Sequence, residues 1–124
     1  MEKGREAKLW QAFSKYIRQR DADENGYCKC FTCGRIKHWK EMDCGHGIPR
    51  QYKATKYDEK NNHAQCKRCN GFEEGRKDIY KERVNQLYGK GTWERLQILS
   101  KTTCKRTQFD IDQMYNYYKG LNER

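Results

Sequence analysis

The sequence predicts a small α+β domain in which a four-thiolate zinc site staples a compact core between an N-terminal helix and further C-terminal helices. Three observations predict it. Two Cys-x-x-Cys knuckles, Cys30 to Cys33 and Cys66 to Cys69, stand well apart in the chain. Short alternating runs punctuated by Gly and Pro lie around and between them, as strands and turns require. Stripes of apolar residues at helical spacing lie on both sides.

The chain has 124 residues, enough for a single domain over 1–124 that buries roughly two-thirds of the surface its unfolded form exposes. Hydrophobic residues make up 35% and charged residues another 35%, so the apolar core is modest and gains from a coordinative staple.

Over residues 5–22 the apolar side chains Leu9, Trp10, Phe13, Tyr16 and Ile17 form a helical stripe, with Lys and Arg on the remaining faces. Asn25-Gly26 is a turn signal, and Tyr27 to Phe31 alternates as a strand does. A second strand is expected from Trp39 to Cys44. Gly45, Gly47 and Pro49 punctuate the segment after it, so His46 falls where an extended segment gives way to a loop. The second knuckle opens into Asn70 and an expected helix to Tyr88, with Ile79, Tyr80, Val84 and Leu87 on its buried side and Gly89-Lys90-Gly91 as its stop. The stapled core is therefore expected over 27–88. Two more helices are expected near 92–100 and 109–121, the last capped by Asp110 with Gln113 three residues on.

The seven cysteines admit a disulfide framework or metal-bound thiolates. The odd count sits badly with a closed disulfide set. The start, Met1 to Glu6, has no apolar core of a leader, and no run approaches a membrane span. A cytoplasmic chain with thiolate ligands and no membrane partner is the expectation. Cys30, Cys33, Cys66 and Cys69 are the expected ligands of a structural zinc, since each knuckle aims two sulfurs at one point and a closed four-sulfur site leaves no place for substrate. Cys28 is the alternative to Cys30, but Gly34 after Cys33 suits the 30/33 knuckle better. Cys44 and Cys104 read as free, half-buried thiols.

Net charge is +10, and Lys and Arg are spread along the chain, so a polyanion is the natural partner. Charge alone suits a merely soluble basic protein as well. The motifs between the knuckles decide: "DCGHGIPR" at Asp43 to Arg50, and "NNHAQCKRCN" at Asn61 to Asn70. A histidine beside an Ile-Pro turn, an asparagine five residues before a knuckle cysteine and an asparagine just after the knuckle resemble the HNH (ββα-metal) endonuclease signature, here as His46, Asn61 and Asn70. More narrowly, Trp10 to Tyr80 resembles the NinG (Rap) recombination proteins of lambdoid phages, in those two runs and in "FSKYIRQRDADENGYCKCFTCG".

The resemblance implies a metal-dependent DNA endonuclease acting in the host cell of a phage or prophage, on branched recombination intermediates such as Holliday junctions and D-loops. Hydrolysis of a phosphodiester needs a nucleophilic water, neutralised phosphate charge and a stabilised leaving oxygen. His46, held by a backbone carbonyl through one ring nitrogen, would take the proton with the other. The family pattern places an Asp or His ligand directly before the base, where this chain has Gly45. In an extended segment Asp43 projects to the same side as Gly45, so Asp43 is the candidate replacement, with Asn70 as the second ligand of a magnesium or manganese ion. Asn61 is expected to pin the loop around His46. His63 is open between a third ligand, a phosphate contact and a structural histidine, whereas His38 reads as surface.

Arg50, Lys53, Lys56, Lys67, Arg68, Arg76 and Lys77 lie near these motifs in sequence and are expected to contact phosphate. A symmetric cut of a four-way junction needs two sites, so a homodimer through the last two helices is possible. The competing reading is a zinc module that binds DNA or a protein partner without catalysis. It has no need for Asp43, His46 and Asn70 around a cation.

Overall fold

The computed structural model describes residues 4–123. Helix α1 (Gly4–Arg20) leads into a β-hairpin of β1 (Tyr27–Lys29) and β2 (Ile36–His38). A 3₁₀ turn at Trp39–Glu41 joins it to β3 (Met42–His46), which is followed by the short helix α2 (Lys53–Lys56) and by β4 (Asn62–Cys66). Helices α3 (Lys77–Tyr88), α4 (Thr92–Ser100) and α5 (Gln108–Asn122) complete the chain. This is the expected α+β class, with two separate two-stranded antiparallel sheets.

The expected stripe of α1 is the one that packs: Leu9, Phe13 and Ile17 are buried against Ile111 and Tyr118 of α5 and Cys44 of β3. Phe13 meets Tyr57 and Tyr118 edge-on, so these aromatic rings are core. The end of α1 also grips β4. Arg20 donates to the carbonyls of Glu59 and Asn62, both at 2.8 Å, and Asp21 Oδ2 accepts the Ala64 N–H at 2.8 Å. On the same strand the Ala64 carbonyl accepts the Phe31 N–H at 2.9 Å.

β3 and β4 pair so that Asp43 faces Gln65, Gly45 faces His63 and His46 faces Asn62. The sequence reading did not anticipate β4, whose residues are all buried and so show no polar alternation, nor the short β2 and α2. The expected second strand begins later, at Met42, because His38 caps a 3₁₀ turn over Trp39–Glu41.

The helix expected from Asn70 to Tyr88 is broken. A single π-helical turn spans Arg68–Phe72, and regular helix starts only at Lys77. Glu74, Gly75 and Arg76 all take positive φ, and the Gly75 N–H donates to the Cys69 carbonyl at 2.7 Å, which folds the chain back toward the knuckle. On α3 Tyr80 and Val84 are buried as expected, but Leu87 is exposed. Thr107, not Asp110, caps α5. Asp110 is the third residue of the helix and its carboxylate accepts a hydrogen bond from the Thr107 N–H, a capping box one turn earlier than expected.

Candidate metal centre and active-site pocket

The β1–β2 hairpin tip carries the first knuckle. The Cys30 N–H donates to the Arg35 carbonyl at 2.7 Å and the Gly34 N–H to the Cys30 carbonyl at 3.0 Å, with Gly34 at a φ of 79° that favours glycine. Cys66 ends β4 and Cys69 lies in the π-helical turn. The sulfurs of Cys30, Cys33, Cys66 and Cys69 all lie within 4.8 Å of one another, and Cys33 and Cys66 are 3.7 Å apart. Tetrahedral bonds of about 2.3 Å to zinc set the sulfurs about 3.8 Å apart, so the cluster fits that ion.

Cys28 points instead into the core formed with Met42 and Ala64, leaving Cys30 in the cluster. Burial opposes ionisation of the Cys30 thiol, but the Thr32 hydroxyl and the amides of Cys33, Cys66 and Thr32 outweigh it and bring the pKa to about 6. Burial pushes the neighbouring Cys69 thiol up to about 12. One thiolate forms readily and the last does not, which is the behaviour of a cluster that needs a cation to release its protons. Cys44, buried on β3, donates to Asn62 Oδ1 at 3.8 Å and is pushed up to about 12 by burial.

Beside this cluster α1, β3 and the π-helical turn enclose a pocket of about 380 Å³. It brings together Asp43, His46, Arg50, Lys67 and Asn70, which were expected at the site, and Arg18, which was not. Asp43 receives Lys67 Nζ on one carboxylate oxygen at 2.7 Å and Asn70 Nδ2 on the other at 3.0 Å. Two positive-ended donors thus converge on Asp43. Lys67 is exposed enough to leave, and a half-turn of the Asn70 amide presents its oxygen, so the pair can supply oxygen ligands to a divalent cation.

His46 ends β3. Burial, then the charges of Lys77 and Arg50, hold its imidazole down to a pKa of about 4, so the ring is neutral at physiological pH. Its Nδ1 is buried and has no hydrogen-bond partner among the described residues. The expected clamp fails: no carbonyl among the described residues binds Nδ1 of the ring. The backbone is held instead, with Lys77 Nζ donating to the His46 carbonyl at 2.6 Å and Tyr80 OH to the Gly45 carbonyl at 2.8 Å.

Asn61 sits where the sequence places it. Fully buried, it accepts the Ile48 N–H and donates to the carbonyls of Ile48 and Thr55, while its own carbonyl accepts the Gly47 N–H. Gly45 leaves no room for a ligand side chain, because a Cβ there would stand 1.9 Å from Gln65 Oε1. Gln65 Nε2 in turn donates to Thr32 Oγ1 at 3.1 Å and to the Gly75 carbonyl at 3.0 Å, tying the first knuckle to the turn after the second.

His63 is not brought to this pocket. It is buried, stacked on Phe31 with ring centres 3.8 Å apart, and its nitrogens engage Tyr80 OH at 3.0 Å and Tyr88 OH at 2.8 Å. The structure therefore corrects His63 from possible metal ligand to core residue. Lys56 is corrected likewise, being buried with Nζ 3.8 Å from Glu6. Of the other basic residues, Arg50 lies over the Trp10 ring at 3.8 Å, Lys53 is exposed, Arg68 and Arg76 face Glu73 at 3.7 and 3.9 Å, and Lys77 is committed to the His46 carbonyl.

A larger apolar groove of about 660 Å³ lies across the same loop, between Gly47 to Tyr52 and α4, and contains none of Asp43, His46 or Asn70. Arg18, Gln65 and Tyr80 are the site residues that sequence reasoning missed. Each looks like an ordinary helix or strand residue until the elements pack. No helix among the described residues is long and apolar enough to cross a membrane. The family model described as Bacteriophage Lambda NinG protein matches residues 2–123. No curated protein and no solved structure matches the chain.

Proposed function

The chain belongs to the bacteriophage lambda NinG family, and on that premise we propose that it is an HNH-type, metal-dependent DNA endonuclease acting on branched recombination intermediates in the cytoplasm of the phage's host. The observation that carries this reading is the pocket where a neutral imidazole with an unpartnered nitrogen lies alongside Asp43 and Asn70 on a cationic wall.

His46 acts as the general base. With a pKa of about 4 its imidazole is neutral over the whole physiological range, so one ring nitrogen carries a lone pair that can accept a proton from water. Tyr80 holds the backbone before His46, Lys77 the carbonyl of His46 itself and Asn61 the backbone after it, which keeps the base aimed. Asp43 and the oxygen of Asn70 would hold magnesium or manganese in the same pocket. When bound, that ion supplies charge neutralisation at the phosphate and at the departing 3′ oxygen. Zinc on the four cysteines is structural, clamping the hairpin tip to β4 and so fixing Asp43 against Asn70.

Arg50 and Lys67 at the pocket, with exposed Lys53 and Arg68 beyond it, are the phosphate contacts of the proposal. A homodimer, needed for a symmetric cut of a four-way junction, would cover exposed apolar side chains such as Ile98 on α4 and Phe109 and Tyr117 on α5.

The reading is tested by incubating the zinc-loaded protein with four-way junction, D-loop, duplex and single-stranded DNA in magnesium or manganese. Cutting of the branched DNAs in preference to duplex is expected. Tight, salt-sensitive binding with no cutting under any of these ions would identify a non-catalytic zinc module instead.

A further inference from the structure

We infer that Arg18 binds the scissile phosphate directly, which makes α1 part of the active site and not only a support for it; the inference rests on the nuclease reading above. Arg18 lines the pocket that holds His46, Asp43 and Asn70. It reaches there from α1, ahead of both knuckles and outside every motif that pointed to the site.

Its surroundings do not account for its charge. Arg20, one step further along the helix, is fully employed: it pairs with Asp21 at 2.9 Å and donates to two carbonyls at 2.8 Å. Among the described residues Arg18 has only hydrogen bonds to the Ser14 carbonyl at 3.1 Å, within its own helix, and to the Trp39 carbonyl at 3.4 Å. Its guanidinium lies 5.3 Å from the Trp39 ring centre. No carboxylate lies within ion-pair distance of it among the described residues. The group is half-buried, and burial lowers its pKa by more than the nearby charge of Asp43 raises it, so a closer anion would stabilise the charged form.

The pocket as a whole asks for an anion. Among its described lining residues Arg18, Lys40, Arg50 and Lys67 are cations, and Asp43 is the one carboxylate. That carboxylate already serves Lys67 and Asn70. Arg50 is laid on Trp10, and Lys40 is an exposed ammonium on a flexible stem. Arg18 is the cation whose stem is fixed by a helix and whose planar fork retains donors. A guanidinium fork matches two non-bridging phosphate oxygens, and charge developing there in the transition state strengthens the contact.

The test uses a branched DNA whose cleavage position in wild type has been mapped. Single-turnover cutting is compared for wild type, Arg18→Ala and Arg18→Lys. Binding is then measured without added magnesium or manganese, so that zinc stays in place, on that DNA with either the natural phosphate or one neutral methylphosphonate at the mapped position. Arg18→Ala is expected to cut about a hundredfold more slowly, and Arg18→Lys to recover part of the loss. The methylphosphonate should weaken wild-type binding several-fold and leave Arg18→Ala binding unchanged, a loss of coupling that a purely structural role would not produce. Equal methylphosphonate penalties in both proteins, or wild-type cutting by Arg18→Ala, would overturn the inference and leave the nuclease reading standing. Wild type that cuts no DNA would overturn both. Should Arg18→Ala fail to fold, Arg18→Gln takes its place in the same comparison, with the same outcomes decisive.

Discussion

The side-chain amide of Asn61 grips Ile48 by both polar atoms of its backbone, accepting the N–H at 2.7 Å and donating to the carbonyl at 3.0 Å. Ile48 lies two residues beyond His46, so this grip fixes the chain where β3 becomes loop. Replacing Asn61 by Ala leaves buried Ile48 and Thr55 groups without partners, a loss of roughly 2–4 kcal/mol. Urea unfolding of Asn61→Ala should report that loss, together with slower cleavage. A change below about 0.5 kcal/mol, as for an ordinary surface substitution, would show that the loop does not depend on the amide.

The cysteine cluster joins short elements around a small core of Cys28, Met42 and Ala64. The first knuckle is a hairpin tip, and the second sits on a broken helix. Zinc at such a site contributes on the order of 10 kcal/mol, comparable to the stability of a whole small domain. Cys66→Ser, or a strong chelator, should release zinc and abolish cooperative unfolding as followed by circular dichroism. A metal-free protein that melts cooperatively at the wild-type temperature would refute the structural role.

Gly45 and Gln65 compete for one volume. Gly45→Ala drives its methyl into Gln65, whose amide is held by Thr32 and Gly75 and cannot swing aside freely. Overpacking of this kind costs about 1–3 kcal/mol. In denaturant titrations Gln65→Ala should make room, so the double variant should be more stable than the sum of the two single losses predicts. Strict additivity would mean that the two side chains do not meet.

The core stripe of α1, the two knuckles, the position of His46 at a strand end and the role of Asn61 were legible because each depends on local spacing or on a short motif. That Asp43 shares a pocket with His46 was legible by period-two alternation once Gly45 was seen to lack a side chain. The break before α3 was not, since Glu74 and Arg76 adopt positive φ on either side of a Gly75 held by the distant Gln65 as well as by Cys69. Nor was β4, whose buried polar residues Asn62, His63 and Gln65 and their hydrogen bonds arise from tertiary packing alone. His63 illustrates the limit: a histidine three residues before a ligand cysteine reads equally as metal ligand or core, and only Phe31, Tyr80 and Tyr88 around it decide.

That burial makes stability depend on pH with a definite sign. Burial, then the Arg20 charge, lowers the His63 pKa to about 3, while the unfolded chain keeps the ordinary 6.5. The native state therefore binds fewer protons, and the stability present above pH 6.5 declines as pH falls from 6.5 toward about 3. His46 adds in the same direction over 6.5 to about 4. Unfolding free energies between pH 7.5 and about 5.5, with zinc saturating, should fall with acidity, and less steeply in His63→Gln. An equal slope in both proteins would assign the effect to other groups.

The role of His46 as the base is tested most directly by single-turnover cleavage of a four-way junction, His46→Ala beside wild type, with magnesium or manganese added and DNA affinity and thermal midpoint measured in parallel. Loss of a positioned general base lowers such a rate by about 10²–10⁴-fold. A loss of that size is expected, with zinc content, melting and DNA affinity near wild type. Cutting by His46→Ala at the wild-type rate would contradict the assignment.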